Sequence, residues 1–169
     1  MVAILITGAP GSGKTTIVGA LARKLPRAAH IQVDFFRKMV KGGYASPHEW
    51  SDEVARQYQL ARSNAVRTAV AFAQAGFIPI IDDIIPADWV QEWIDSLPGL
   101  EPKFVILNLP LEVGLERNQE RETWTVDEKV LADLHGMLQG EYTSDWIAVD
   151  SGLANPEDAA DIILDRTGL

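Results

Sequence analysis

Gly8-Ala9-Pro10-Gly11-Ser12-Gly13-Lys14-Thr15 fits G-x-x-x-x-G-K-S/T at every defined position, and it limits the possible folds more than any other stretch. Val2-Ala3-Ile4-Leu5-Ile6-Thr7 precedes it, an apolar run with the character of a buried strand. Val18, Leu21, Ala22 and Leu25 follow at helical spacing, so the motif lies in a strand-to-helix turn. Glycines at 8, 11 and 13 allow backbone conformations and close approaches that side chains forbid. The amides of this loop and of the helix's first turn, through Thr15 and Thr16, then converge on an anion. Lys14 adds a mobile positive charge for β- and γ-phosphates, and the Thr15 hydroxyl is placed to bind Mg²⁺. The stretch predicts a nucleoside triphosphate site rather than a solvated glycine turn.

The rest of the chain alternates strand and helix, which predicts an α/β fold: a parallel sheet with helices on both faces. At 169 residues it reads as one domain. The first helix ends near Leu25, before Pro26, and His30-Ile31-Gln32-Val33 reads as a second strand ending at Asp34. Lys41 to Pro47 is a loop. The next helix has two competing starts, a capping box at Ser46-Pro47-His48-Glu49 and a cap at Ser51. Val54, Tyr58, Ala61, Ala65, Thr68 and Phe72 mark its face, and Gly76 stops it. Phe77 to Ile81 is a third strand, in which Pro79 is awkward because proline cannot donate to a ladder. Trp89 to Leu97 is a helix and Lys103 to Leu109 a fourth strand. Pro110 opens a helix running to about Arg121, and Thr125-Val126-Asp127-Glu128 is a second capping box. Trp146 to Val149 is the last strand, and Asn155-Pro156 starts the last helix.

Composition removes several function classes. With no cysteine there are no disulfides, thiolate metal sites or cysteine nucleophile, and the three histidines lack ligand spacing. A net charge of −9 without a basic run argues against a nucleic-acid or anionic-membrane partner. No apolar stretch approaches membrane-spanning length, and the N-terminal run lacks the basic flank of a signal peptide, so a cytoplasmic protein is expected.

In a parallel sheet the strands' C-terminal ends share one edge, where ligands bind. Two roles fit Asp34 there: a base that orients an acceptor hydroxyl and takes its proton, or the N-cap of a short helix over Phe35 to Val40. Arg37, one turn on, either holds an anionic or hydroxylated substrate or pairs with Asp34. Tyr44 and Trp50 are a substrate rim or packed aromatics. Asp82 stands where a Walker B carboxylate holds Mg²⁺, directly or through water, and Asp83 either points at the acceptor or ends a strand. Two adjacent buried carboxylates also call for a nearby cation. Arg117 and Arg121 share a helical face in a polar segment, which reads as a short lid or as a solvated helix end.

Together, the phosphate loop, Val33-Asp34, Ile81-Asp82-Asp83 and Arg117 with Arg121 resemble the P-loop small-molecule kinases. These include the nucleoside monophosphate kinases, shikimate and gluconate kinases and chloramphenicol phosphotransferase. The Ile-Asp-Asp and Val-Asp strand ends look most like chloramphenicol phosphotransferase, and His30 to Tyr44 looks gluconate-kinase-like. The resemblance implies a five-stranded sheet of order 2-3-1-4-5, a catalytic aspartate at Asp34 and a lid over about 117–126. It also implies Arg117 against the adenine, Arg121 on the phosphates, and Ser151-Gly152-Leu153 beside the base. The Asp-Gly-Phe-Pro-Arg signature of monophosphate kinases is absent after the third strand, where the chain has Asp82-Asp83-Ile84-Ile85-Pro86. The expectation is therefore an ATP- and Mg²⁺-dependent phosphotransferase acting on a hydroxyl of a small molecule such as a sugar acid or an antibiotic. A polynucleotide 5′-kinase and a non-catalytic, nucleotide-dependent resistance protein are the alternatives.

Overall fold

A computed structural model of the chain describes residues 1–47, 49–120, 126–140, 142, 145–152 and 154–169. Five parallel strands, β1 (Val2–Gly8), β2 (Ala28–Gln32), β3 (Ile78–Asp82), β4 (Glu101–Asn108) and β5 (Ile147–Asp150), form one sheet of order β2-β3-β1-β4-β5. The helices are α1 (Lys14–Lys24), α2 (Val33–Lys38), α3 (Asp52–Gln74), α4 (Val90–Ser96), α5 (Leu111–Gln119), α6 (Glu128–Met137) and α7 (Pro156–Thr167). A single 3-10 turn, Ala87–Trp89, leads into α4.

Alternation along β1 divides the core in two. Ile4 and Ile6 pack with Val18, Leu21, Ile80 and Ile163 under α1 and α7, while Ala3 and Leu5 pack with Ile81, Trp93 and Leu97 under α3 and α4. Each fully buried isoleucine or leucine contributes roughly 2 kcal/mol relative to exposure. The sheet is thus covered on both faces, as the continuous apolar strands require.

Ser51 wins the competition to start α3: its hydroxyl accepts from the Val54 amide at 3.3 Å. The buried face of α3 runs Val54, Gln57, Ala61, Ala65, Ala69, Ala73, and Phe72 faces outward, which corrects the sequence reading. Alanine every four residues lets the helix lie close against the sheet. Asn155 caps α7 through the Glu157 and Asp158 amides, whereas α6 is capped by Asp127 rather than from the expected box, whose Thr125 lies outside the described residues.

Pro79 lies inside β3 after all. Ile78 donates to Arg27 on the β2 side and Asp83 to Ile6 on the β1 side, so by alternation the Pro79 nitrogen faces β1. The β1 register with β3 begins only at Ile4 and Ile80, one residue later, so the proline removes no ladder bond.

Candidate functional site

The loop between β1 and α1 holds Gly11 at φ 91° and Gly13 at φ 80°, both left-handed. A Cβ on Gly8 would stand 2.6 Å from the Ser12 hydroxyl, and one on Gly11 would stand 3.1 Å from the Gly114 carbonyl. These glycines are required by packing as well as by conformation. Helix α1 starts at Gly13 with no side-chain cap and no acid in its first turn, unlike α3, α6 and α7. Its first-turn amides therefore remain available to an anion. Ser12 is buried, and its hydroxyl finds no partner among the described residues. Such a group costs roughly 1–3 kcal/mol unpaired, which an incoming ligand oxygen would relieve. Lys14 Nζ donates to the Gly8 carbonyl at 2.6 Å and contacts that of Ala9 at 3.4 Å, while Thr15 and Thr16 are exposed at the start of α1. The cradle, its uncapped amides and the lysine suit a polyphosphate.

Arg117 closes the far side of the loop. Its guanidinium donates to the Gly11 carbonyl at 3.3 Å and, with both Nη atoms, to the Ser151 carbonyl at 3.2 Å. One side chain from α5 thus ties the phosphate loop to the turn after β5. Asn118, beside it, is 2% exposed and exchanges two bonds with the Val126 backbone, at 2.7 and 2.9 Å. This clasp fixes both ends of the segment expected to be a lid. Arg121 and the rest of 121–125 lie outside the described residues, as does Leu153.

The carboxylates are arranged differently from the sequence expectation. β2 ends at Gln32 and α2 begins at Val33, so Asp34 occupies the first turn of a helix, not a strand end. The residue preceding α2 is Gln32, without a side-chain cap bond, so Asp34 is not the N-cap either. Asp34 is exposed, with Lys38 3.9 Å away. Arg37 does not pair with it. Instead Arg37 is 3% exposed, donates to the Tyr44 hydroxyl and the Ala45 carbonyl, and stacks on Tyr44 and Tyr58 at 4.7 and 4.4 Å. Gln57 steadies the same loop through Gly43 and Ala45. Tyr44 is half-exposed, and Trp50, largely exposed, stacks on Tyr58.

Asp82 and Asp83 point to opposite faces of the sheet and have separate partners. Asp82 shares the α1 face with His30 of β2, whose Nε2 lies 2.5 Å from Oδ2. Asp83 turns to α3, where Arg62 Nε donates to it at 2.7 Å. Each carboxylate therefore has its own protein partner, a guanidinium for Asp83 and a hydrogen-bonded imidazole for Asp82, so the two do not converge on one another as their adjacency in sequence suggested. Burial pushes the Asp83 carboxyl above its ordinary range, against the pull of Arg62 and the Ile84 amide. Arg62 in turn lies over the Trp89 ring at 4.1 Å. Tyr58 gathers the group: burial foremost raises its hydroxyl, Arg37 lowers it, and Asp34, Asp83 and Tyr44 raise it. Arg37 stacks on this tyrosine, and the charges of Asp34 and Asp83, which follow β2 and β3 at the strand-end edge, are both felt at its hydroxyl.

His30, Tyr58 and Arg62 contact the expected site residues, and Trp89 contacts Arg62; the sequence reading gave none of the four a role there. Arg62 left a signal: a charged side chain one turn after Tyr58, on a face otherwise read as apolar. Among the described residues no group of three or more His, Asp and Glu could hold a metal. The protein's share of a Mg²⁺ shell would be Thr15 and Asp82, with phosphate and water completing it. No helix among the described residues is long and apolar enough to cross a membrane.

The chain has relatives in sequence and in fold. The bifunctional enzyme CysN/CysC of Rhodopirellula baltica is 28% identical over 167 residues, 96% of this chain, which spans about a quarter (25%) of that relative's length. A sugar kinase from Janibacter sp. HTCC2649 superposes with a TM-score of 0.75 at 20% identity, over 99% of this chain and 95% of the other. A gluconokinase from Sinorhizobium meliloti 1021 gives 0.69 at 20% identity, over 99% and 91%. These likenesses establish a kinase-like P-loop fold. Residues 4–140 match the family model described as an AAA domain, and with that match covering most of the sequence, phosphate loop included, the chain belongs to this P-loop family.

Proposed function

We propose that residues 1–169 act as one ATP-dependent phosphotransferase, moving the γ-phosphate of ATP to a hydroxyl of a small molecule in the cytoplasm. One observation carries the reading: the uncapped α1 terminus and its glycine loop share a sheet edge with Asp34, Arg37, Tyr44 and Asp83. The sugar kinase and gluconokinase with this fold support a polyol or sugar-acid acceptor.

In this reading the backbone N–H groups of the glycine loop and of the first turn of α1 bind the phosphates, and Lys14 leaves the Gly8 carbonyl to meet the β- and γ-oxygens. Thr15 and Asp82 would hold Mg²⁺, which would neutralise charge on the phosphates when bound. Arg37, Tyr44 and Asp83 hold the acceptor. Asp34, exposed at the same edge, orients its hydroxyl. The hydroxyl oxygen forms a bond to the γ-phosphorus, the bond from that phosphorus to the β,γ-bridging oxygen breaks, and the proton passes to Asp34 as ADP leaves. Arg117, which bridges the phosphate loop and the turn after β5, is the arginine that meets the base, while the roles expected of Arg121 and Leu153 fall outside the described residues.

The test is Asp34→Asn with a panel of sugars, sugar acids and antibiotics, monitored for ADP release and phosphorylated product. Binding of an ATP analogue is expected to stay within about twofold of wild type, while transfer falls by roughly 10²–10⁴. Transfer at the wild-type rate would remove Asp34 from the mechanism, and nucleotide-dependent ligand binding without product would replace the kinase by a sequestering protein.

A further inference from the structure

Between α3 and the segment from the 3-10 turn through α4 lies a cavity of about 250 Å³, away from the phosphate loop. Its walls include Gln59, Arg62, Ser63 and Arg67 of α3 and Trp89 and Glu92 opposite them. Helix α3 leads to the start of β3, so the groove runs from the level of Asp83, where Arg62 reaches the strand-end edge, towards the opposite edge of the sheet.

The lining is rich in donors. Arg62 uses only Nε, on Asp83, and its two Nη groups make no hydrogen bond among the described residues. Lying over the Trp89 ring at 4.1 Å and bonded to Asp83, the guanidinium is held in place before any ligand arrives. The Arg67 guanidinium and the Ser63 hydroxyl also have no partner among the described residues, and Arg67 makes no ion pair with Glu92 across the groove. Two arginines and a hydroxyl facing one carboxylate leave an excess of donors, which an acceptor-rich ligand satisfies. The volume lies below the ~300–1,000 Å³ of drug-sized sites, which sets the scale at a compact molecule.

We infer that this groove is a second ligand site, taking the carboxylate or phosphate of a compact organic anion on Arg62 and Arg67. Because Arg62 also holds Asp83, a ligand on its Nη atoms is linked to the acceptor edge through one rigid side chain. Glu92, on the facing wall, selects against a second negative charge and accepts a ligand hydroxyl or amine.

The test uses the full chain and two probes, benzoate and inorganic phosphate, titrated separately while the indole N–H resonance of Trp89, assigned with Trp89→Phe, is followed by NMR. At least one probe is expected to move it saturably. The benzoate arm alone identifies a carboxylate source, the phosphate arm alone a phosphate source. Arg67→Gln, an exposed change that leaves the fold intact, is expected to weaken that binding about tenfold or more. Lys14→Ala is expected to leave it in place, which separates this site from phosphate captured by the glycine loop and from any failure of phosphoryl transfer. No movement with either probe, an unchanged midpoint in Arg67→Gln, or loss of the response in Lys14→Ala would each overturn the assignment.

Discussion

Arg62 Nε donates to Asp83 Oδ2 at 2.7 Å, and the same guanidinium lies over the Trp89 ring. Asp83 is buried at the end of β3, with its carboxyl raised foremost by desolvation and lowered by Arg62. A raised carboxyl binds its proton more tightly in the folded than in the unfolded chain, so its contribution to stability is greatest in acid and declines as pH rises through the folded value. Arg62 limits that decline.

Arg62→Gln is therefore expected to destabilise the protein far more at pH 7 than at pH 4. At pH 7 it leaves a buried carboxylate without its cation, at a cost of about 3 kcal/mol. In acid the protonated carboxyl needs no partner. Urea unfolding at the two pH values checks this, and equal losses at both would mean that the pair is electrostatically idle.

Arg117 joins Gly11 to Ser151, two loops that the chain brings together from opposite ends of the sequence. Arg117→Met is expected to cost about 1–3 kcal/mol of stability and to weaken binding of an ATP analogue about tenfold, read by denaturant unfolding and calorimetry. Arg117→Lys should rescue little, because a single ammonium cannot reproduce the guanidinium's planar fork.

Gly11→Ala places a methyl group 3.1 Å from the Gly114 carbonyl in a left-handed backbone. A loss of about 1–3 kcal/mol is expected. Gly13→Ala, also left-handed but with only the end of Ile17 nearby at 4.0 Å, should lose less. The difference between the two unfolding midpoints isolates the steric part.

Asn118 holds the Val126 amide and carbonyl from a nearly solvent-free position. Asn118→Ala should cost about 2 kcal/mol through the two buried groups left unpaired. Hydrogen exchange of the Val126 amide should accelerate in the same variant; unchanged protection would show that other contacts hold the clasp.

The sequence by itself determined the phosphate loop, the alternation of strand and helix, and the side-chain cap of α7 at Asn155. Each is written in residues at most a turn or two apart, where steric and hydrogen-bonding preferences act directly. The strand order entered only through family resemblance, because periodicity says nothing about which strands pair. Tertiary structure alone decided between Ser46 and Ser51, set Pro79 beside a stretch with no ladder, and gave Arg37 to Tyr44 and Ala45 instead of Asp34. It also gave Asp83 to Arg62 and Asp82 to His30, partners 21 and 52 positions away. A buried charge takes whichever counter-group the packed elements carry to it, and that distance through space exists only once the sheet has assembled.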